Sequence, residues 1–340
     1  MWSEEYLDVL LSTPSSGLIT DMAKIEGDII ILGAGGKMGP SLSLLAKNAC
    51  KEGGINKRVI AVSRFSDPFA VELLAKHGVE TISGDLMDPD FLTSLPDVPN
   101  VIFMAGRKFG TDGQECLTWA MNTWLPSMVA QRYKKSRIVV FSSGNIYPMQ
   151  NLKDGGADES TRTDPIGEYA MSCLGRERVF EYASQAYGTP VCMYRLNFAV
   201  DLRYGVLNDI AQSILKGEPV VISMPVFNCV WQGYANEIAL RCLLICESPA
   251  NRLNVTGPET VSVKWAAQEL GKYLGREVII EEPGIANDSA LINNAAKMCS
   301  QFGYPDVSID TLIRWQAEWL LSGGRILGKP THFEERKGKF

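Results

Sequence analysis

The chain has 340 residues, enough for one large or two smaller domains, with 46% hydrophobic and 21% charged residues, a globular balance. A net charge of -6 offers neither a basic patch for nucleic acid nor a polybasic membrane tether, which excludes both as expected partners. No apolar run approaches the roughly 20 residues that span a bilayer, and Glu4, Glu5 and Asp8 give the N-terminus the wrong sign for a signal peptide, so a cytoplasmic protein is expected.

In chain order, residues 1–27 open with an amphipathic helix (Tyr6, Leu7, Leu10, Leu11) ending near Pro14. Ser15, Ser16 and Gly17 follow as a loop, and the whole reads as an N-terminal extension. The stretch from Ile29 to Leu32 is too short for a buried helix and fits a strand covered on both faces. Glycines come next, as Gly33-x-x-Gly36-x-x-Gly39 with Gly35 between, and then Leu42, Leu45, Ala46 and Ala49 recur at helical spacing. Strand, glycine turn, helix is the context in which backbone amides approach a pyrophosphate at the positive end of a helix. Gly33, Gly36, Lys37, Met38 and Gly39 are therefore expected to hold a dinucleotide; the alternative is a tight turn that binds nothing.

A second strand over 58–62 ends in Ser63 and Arg64. Dinucleotide folds place a carboxylate at this point to hold the ribose 2′-OH, whereas a hydroxyl and a guanidinium suit a 2′-phosphate, which favours NADP over NAD. A helix over 68–76 and a strand near 79–82 lead to Gly84-Asp85-Leu86. Asp85 suits an adenine amino group, and Asp88, before Pro89, suits a helix cap. The next strand runs into Ala105 and Gly106, small residues that let a ligand approach. A long helix over about 116–133 carries Asn122, and a strand over 137–141 ends in Ser142-Ser143-Gly144-Asn145-Ile146-Tyr147. After a polar stretch, a helix over 168–186 begins with Tyr169, and another strand covers 191–196.

This alternation implies an α/β, Rossmann-type doubly wound parallel sheet. Beyond 196 the rhythm is irregular, with helices expected over 206–216, 234–247, 263–274, 287–303 and 309–322. The expected organisation is an extension over 1–27 and a dinucleotide-binding domain over 28–200, with 225–257 returning to it. A smaller substrate lobe is built from 201–224 and 258–340. Eight scattered cysteines without C-x-x-C spacing read as reduced thiols, and only two histidines, His77 and His332, are present, so no metal site is expected.

In order and spacing these motifs resemble the extended short-chain dehydrogenase/reductase superfamily, NAD-dependent epimerase/dehydratase type, over about 28–280. The resemblance places Gly84-Asp85-Leu86 on the adenine side and Asn122 at the family's helix asparagine. Ser143 matches a catalytic serine, and Tyr169 the tyrosine of Y-x-x-x-K. It implies hydride transfer to and from a nicotinamide at a sugar or sugar-derived hydroxyl, as an oxidoreductase, epimerase or dehydratase. Tyr169 would move the hydroxyl proton and Ser143 would hold the developing alkoxide. It also implies a homodimer through the helices carrying Asn122 and Tyr169; Trp119, Met121, Trp124 and Met128 on the first fit a partner face or a core face.

Three departures stand out. Cys173 occupies the position of the family lysine, leaving Arg176, Lys108 or Arg107 to supply a charge. Phe198 stands where the family has asparagine, with Asn197 one residue earlier. Gln232 and Asn236, candidate ligand contacts, are neutral. The alternative function is a non-catalytic dinucleotide-binding sensor or structural protein of the same fold.

Overall fold

In the computed structural model, which describes residues 2–108, 110, 113–282 and 288–338, seven strands form one parallel sheet. They are β1 (Ile29–Leu32), β2 (Val59–Ser63), β3 (Glu80–Ser83), β4 (Asn100–Phe103), β5 (Arg137–Ser143), β6 (Val191–Leu196) and β7 (Asn251–Val255). Their order across the sheet is β3-β2-β1-β4-β5-β6-β7, and every adjacent pair is parallel. The winding reverses between β1 and β4, which opens a crevice at the carboxyl ends of the strands.

The helices are α1 (Glu4–Ser12), α2 (Ser16–Lys24), α3 (Gly39–Glu52), α4 (Pro68–Lys76), α5 (Pro89–Ser94), α6 (Glu115–Trp119) and α7 (Leu125–Arg132). There follow α8 (Gly167–Tyr187), α9 (Val206–Lys216), α10 (Gln232–Arg241), α11 (Val263–Leu274), α12 (Ala296–Phe302) and α13 (Ile309–Leu321). The unbroken apolar run of β1 follows from burial on both faces. Ile29 and Ile31 join the core with α2, α3 and α10, while Ile30 and Leu32 join the core with α7 and α8. A third core, from α1, α9, α11 and α13, forms the lobe over the crevice.

Four local expectations change. Ser16 and Gly17 are helical, because Ser15 is an N-cap accepting from the Leu18 N–H. The helix over 116–133 is interrupted by a π-turn, Ala120–Trp124, where the Leu125 N–H reaches back to the Ala120 carbonyl. Pro126 has no N–H to offer the Asn122 carbonyl, which accepts instead from Arg176 Nε at 3.4 Å. The helix expected to run to 247 stops at Arg241 and continues only as a 3-10 turn to Ile245. Of the helix expected over 287–303, Ala296–Phe302 is helical and Asn287 lies outside the described residues.

Short strand pairs account for the irregular rhythm after 196. Ala199–Val200 pairs with Val230–Trp231, Val220–Val221 with Ile280–Glu281, and Val226–Phe227 with Val261–Ser262. After α13 the chain returns as a strap across the crevice. The Leu327 N–H donates to the Arg203 carbonyl (2.9 Å), and Arg336 Nη2 donates to Ser289 Oγ (2.7 Å). Among the described residues no helix is long and apolar enough to cross a membrane.

Candidate active site

The carboxyl ends of the sheet, the lobe and the strap enclose a cleft of about 1090 Å³. The glycine turn forms its floor, and each glycine answers a different constraint. Gly33 has φ +95, and a Cβ there would lie 2.5 Å from the Ala105 amide nitrogen, so β1 and the end of β4 close together only around glycine. A Cβ on Gly35 would lie 2.5 Å from Ser63 Oγ, and one on Gly39 would strike the Ala34 carbonyl. At Gly36 a Cβ would meet only the Gly33 carbonyl, at 3.6 Å, and would otherwise project into the cleft. No protein neighbour demands glycine there, and the floor of the cleft is open at this position.

Behind this cradle α3 starts at Met38 with no side-chain cap, as do α6 to α10 and α12. The positive end of α3 lies at this glycine-floored cleft, with the Gly39 N–H donating to the Gly36 carbonyl (3.2 Å) and Pro40 offering no N–H. Substituting Gly36→Val is expected to weaken dinucleotide binding at least about tenfold while unfolding free energy shifts by no more than about 0.5 kcal/mol. Titration calorimetry and urea unfolding read the two, and unchanged affinity would remove the cradle from the account.

At the β2 end of the cleft, Ser63 is half-buried against Gly35, and the Arg64 side chain is exposed. Asp67, which the sequence reading passed over, caps α4 through the Phe69 N–H and lines the cleft. Asp85 accepts from the Met87 N–H (3.0 Å) and shapes the turn into α5, where Asp88 is the cap. Leu86 is buried in the core with Ile60 and Val62 rather than in the cleft wall.

At the opposite end, β5 delivers Ser143 and α8 delivers Tyr169 to the same cleft. Ser143 Oγ donates to Asn145 Oδ1 and accepts from the Asn145 N–H, each at 3.1 Å. The Tyr169 hydroxyl meets the Ser143 hydroxyl and the Cys173 thiol. Burial pushes the Tyr169 pKa up, and Cys173 adds to it. Burial likewise raises the Cys173 thiol, so the pair is neutral and protonated at neutral pH.

Asn122 does not reach the cleft. It is fully buried; Oδ1 accepts from the Arg107 N–H (2.8 Å) and Arg176 Nη2 (2.7 Å), and Nδ2 donates to the Arg107 carbonyl (2.8 Å) and Ser172 Oγ (2.9 Å). It thereby pins the chain after β4, with Ala105 and Gly106, onto α8. Lys37, Lys108 and Lys329 do enter the cleft wall. Lys37 Nζ donates to the Ala199 carbonyl (3.1 Å) and lies 3.9 Å from the Tyr204 ring centre. Burial brings its pKa down to about 7, with Asp201 opposing and Lys108 reinforcing the shift. Lys108 Nζ donates to the Thr331 carbonyl of the strap (3.2 Å).

The neutral polar residues at the departures point inward. Asn197 Nδ2 donates to Asn228 Oδ1 (3.0 Å), and Phe198, with φ +46, takes a backbone conformation that large side chains rarely adopt. Gln232 Nε2 and Asn236 Nδ2 both donate to Ser41 Oγ, at 3.1 and 2.9 Å, tying α10 to α3. Nothing in the 323–338 sequence signals that it closes the cleft, because its polar composition reads as an ordinary tail.

A sequence model described as the NAD dependent epimerase/dehydratase family matches residues 29–223, more than half of the 340. The chain belongs to this family. No curated protein matches it in sequence. Among solved structures it is similar to UDP-glucuronic acid 4-epimerase from Bacillus cereus in complex with NAD, at 16% identity and TM-score 0.69 over 87% of this chain and 99% of that one. It is similar to the UDP-Glc/GlcNAc 4-epimerase of Campylobacter jejuni, at 21% identity and TM-score 0.71 over 87% and 100%. A third is dTDP-glucose 4,6-dehydratase from Bacillus anthracis in complex with NAD, at 15% identity and TM-score 0.72 over 87% and 97%. The glycine cradle, Ser143 and Tyr169 all fall inside the family match. The open Gly36 floor and the uncapped start of α3 fit an NAD(P)-type dinucleotide.

Proposed function

We propose that the protein is an NAD(P)-dependent enzyme that oxidises or reduces a sugar hydroxyl, with epimerisation or dehydration as the net outcome. The observation that carries this reading is the convergence of the Ser143–Tyr169 hydroxyl pair and the glycine cradle on one cleft. When bound, the dinucleotide accepts and returns hydride. Gly35 and the start of α3 hold its pyrophosphate on a floor that Gly33 and Gly36 keep open, the N–H groups of those two glycines donating to the Val62 and Gly33 carbonyls. Ser143, braced by the Asn145 N–H, turns its one proton from Asn145 Oδ1 to the substrate oxygen, and Tyr169 exchanges the substrate proton. Similarity to enzymes of UDP- and dTDP-sugars makes nucleotide sugars the first substrates to test.

The test incubates the full chain with either dinucleotide and UDP-glucose, UDP-glucuronic acid or dTDP-glucose, following absorbance at the reduced-nicotinamide band and products by chromatography. A new sugar product supports the enzyme. Tight dinucleotide binding with no change in any sugar supports the second reading, a dinucleotide sensor, which the neutral Tyr169–Cys173 pair favours. Arg64 at the end of β2 supports tighter binding of NADP than of NAD.

The same reading includes a homodimer. The turn after α6 exposes Trp124 (63%), and α8 exposes Tyr182 (64%), apolar rings on adjacent helices of one surface. Light scattering is expected to give a dimer that Trp124→Glu with Tyr182→Glu converts to monomer; a monomeric unmodified protein contradicts it.

A further inference from the structure

A tyrosine whose proton must leave near neutral pH needs a positive charge beside it, because burial alone raises its pKa above the value near 10 of the free side chain. The group touching the Tyr169 hydroxyl from its own helix is the Cys173 thiol, which brings no charge while protonated. Two cations lie close enough to consider. Arg176 faces the sheet: Nη1 donates to the Phe141 carbonyl (2.7 Å), Nη2 to Asn122 Oδ1 (2.7 Å) and Nε to the Asn122 carbonyl. Its charge lowers the Tyr169 pKa against the effect of burial, while its donors serve to join α8, β5 and the π-turn.

Lys108 comes from the opposite wall. Its ammonium lies 6.0 Å from the centre of the Tyr169 ring, within reach of a cation–π contact, and lines the same cleft. It is seated by the strap, since Nζ donates to the Thr331 carbonyl. Thr331 is in turn clamped to α9 by its N–H (2.7 Å) and Oγ (2.6 Å), both donating to Asp209 Oδ2. We propose that Lys108, held by the C-terminal strap, is the positioning residue whose charge stabilises the ionised form of Tyr169 in place of a cation at position 173.

This rests on the reading that Tyr169 exchanges the substrate proton. Burial brings the Lys108 pKa down to about 8, with Cys173, Asp209 and Glu334 opposing the shift. The groups facing Lys108 are Tyr169 and Cys173 from α8, Asp209 from α9, Glu334 from the strap and Lys37 from the glycine turn. The ammonium is therefore charged at neutral pH and loses its proton as pH rises through about 8, so turnover falls on that limb.

The experiment compares the full chain with Lys108→Met, Lys108→Arg and Lys108→Met combined with Cys173→Lys. Turnover of the active nucleotide sugar is expected to fall about 10- to 100-fold in Lys108→Met, with KM within about threefold. Lys108→Arg is expected to keep at least about a third of it, and the fall above pH 8 is expected to vanish in Lys108→Met. Cys173→Lys, which places an amine one turn from Tyr169, is expected to restore at least about tenfold. Lys108→Met within about threefold of the unmodified protein overturns the proposal.

A second readout needs no substrate. NAD+ carries one more positive charge than NADH, so removing a nearby ammonium favours the oxidised form; the ratio of dissociation constants, NAD+ over NADH, is expected to fall at least about threefold in Lys108→Met. An unchanged ratio overturns the proposal even if the double variant does not fold. If the unmodified protein binds dinucleotide but changes no sugar, the proposed function fails, and this ratio still decides the place of Lys108.

Discussion

Replacing Glu177 with alanine is expected to destabilise the protein by about 3–5 kcal/mol. Glu177 on α8 and Arg195 on β6 form a bidentate pair, Nε to Oε1 at 2.9 Å and Nη2 to Oε2 at 2.7 Å, with side chains 0% and 3% exposed. Arg195 Nη1 donates to the Glu159 carbonyl (3.4 Å) and to the Tyr147 hydroxyl (2.6 Å), which itself donates to Asn254 Oδ1 on β7 (2.9 Å). Removing the carboxylate leaves a guanidinium buried with neutral acceptors only, and that desolvated charge dominates the loss. The network also fixes α8, with Tyr169, against the segment that carries Tyr147 just after Ser143 ends β5. Urea unfolding measures the effect. Replacing both partners, Glu177→Leu with Arg195→Met, is expected to recover most of the stability, since no orphan charge remains. A loss below about 1 kcal/mol in the single variant would show that water reaches the pair.

Tyr169→Phe is expected to lower turnover about 10²- to 10⁴-fold, the range spanned by a single positioned acid–base group. The ring stays, packed with Ile146 and Cys173, so folding and dinucleotide affinity should change little. Only the hydroxyl that meets Ser143 and Cys173 is lost. Its raised pKa means that the resting tyrosine is protonated and enters the reaction as a donor, or as an acceptor once a nearby cation has lowered the cost of the phenolate. Steady-state rates with a nucleotide sugar, alongside dissociation constants for the dinucleotide, separate this from a folding defect. Turnover within about threefold of the unmodified protein would move the proton transfer to another residue.

The sheet was legible because burial on both faces leaves unbroken apolar runs such as Ile29–Leu32, and the glycine turn because its backbone demands are local. Helix bounds were readable where caps are strong, as at Gly217 after α9 and Gly275 after α11. Side-chain roles that depend on distant partners were not. Asn122 occupies the family's asparagine position, yet its side-chain amide is taken up by Arg107, Ser172 and Arg176, partners 15 to 54 positions away. Gln232 and Asn236 read as ligand contacts until α3 presents Ser41 between them. The strap over Lys108 was the least legible, because a carbonyl such as that of Thr331 leaves no mark on the sequence.

The proposed activity stands on a dinucleotide held at the glycine turn and the start of α3. Calorimetric titration of the full chain with NADP+ and NAD+ tests it most directly. Saturable binding of one dinucleotide per chain is expected, tighter for NADP+, and weakened at least about tenfold by Gly36→Val. Absence of heat with either dinucleotide at millimolar concentration would contradict it.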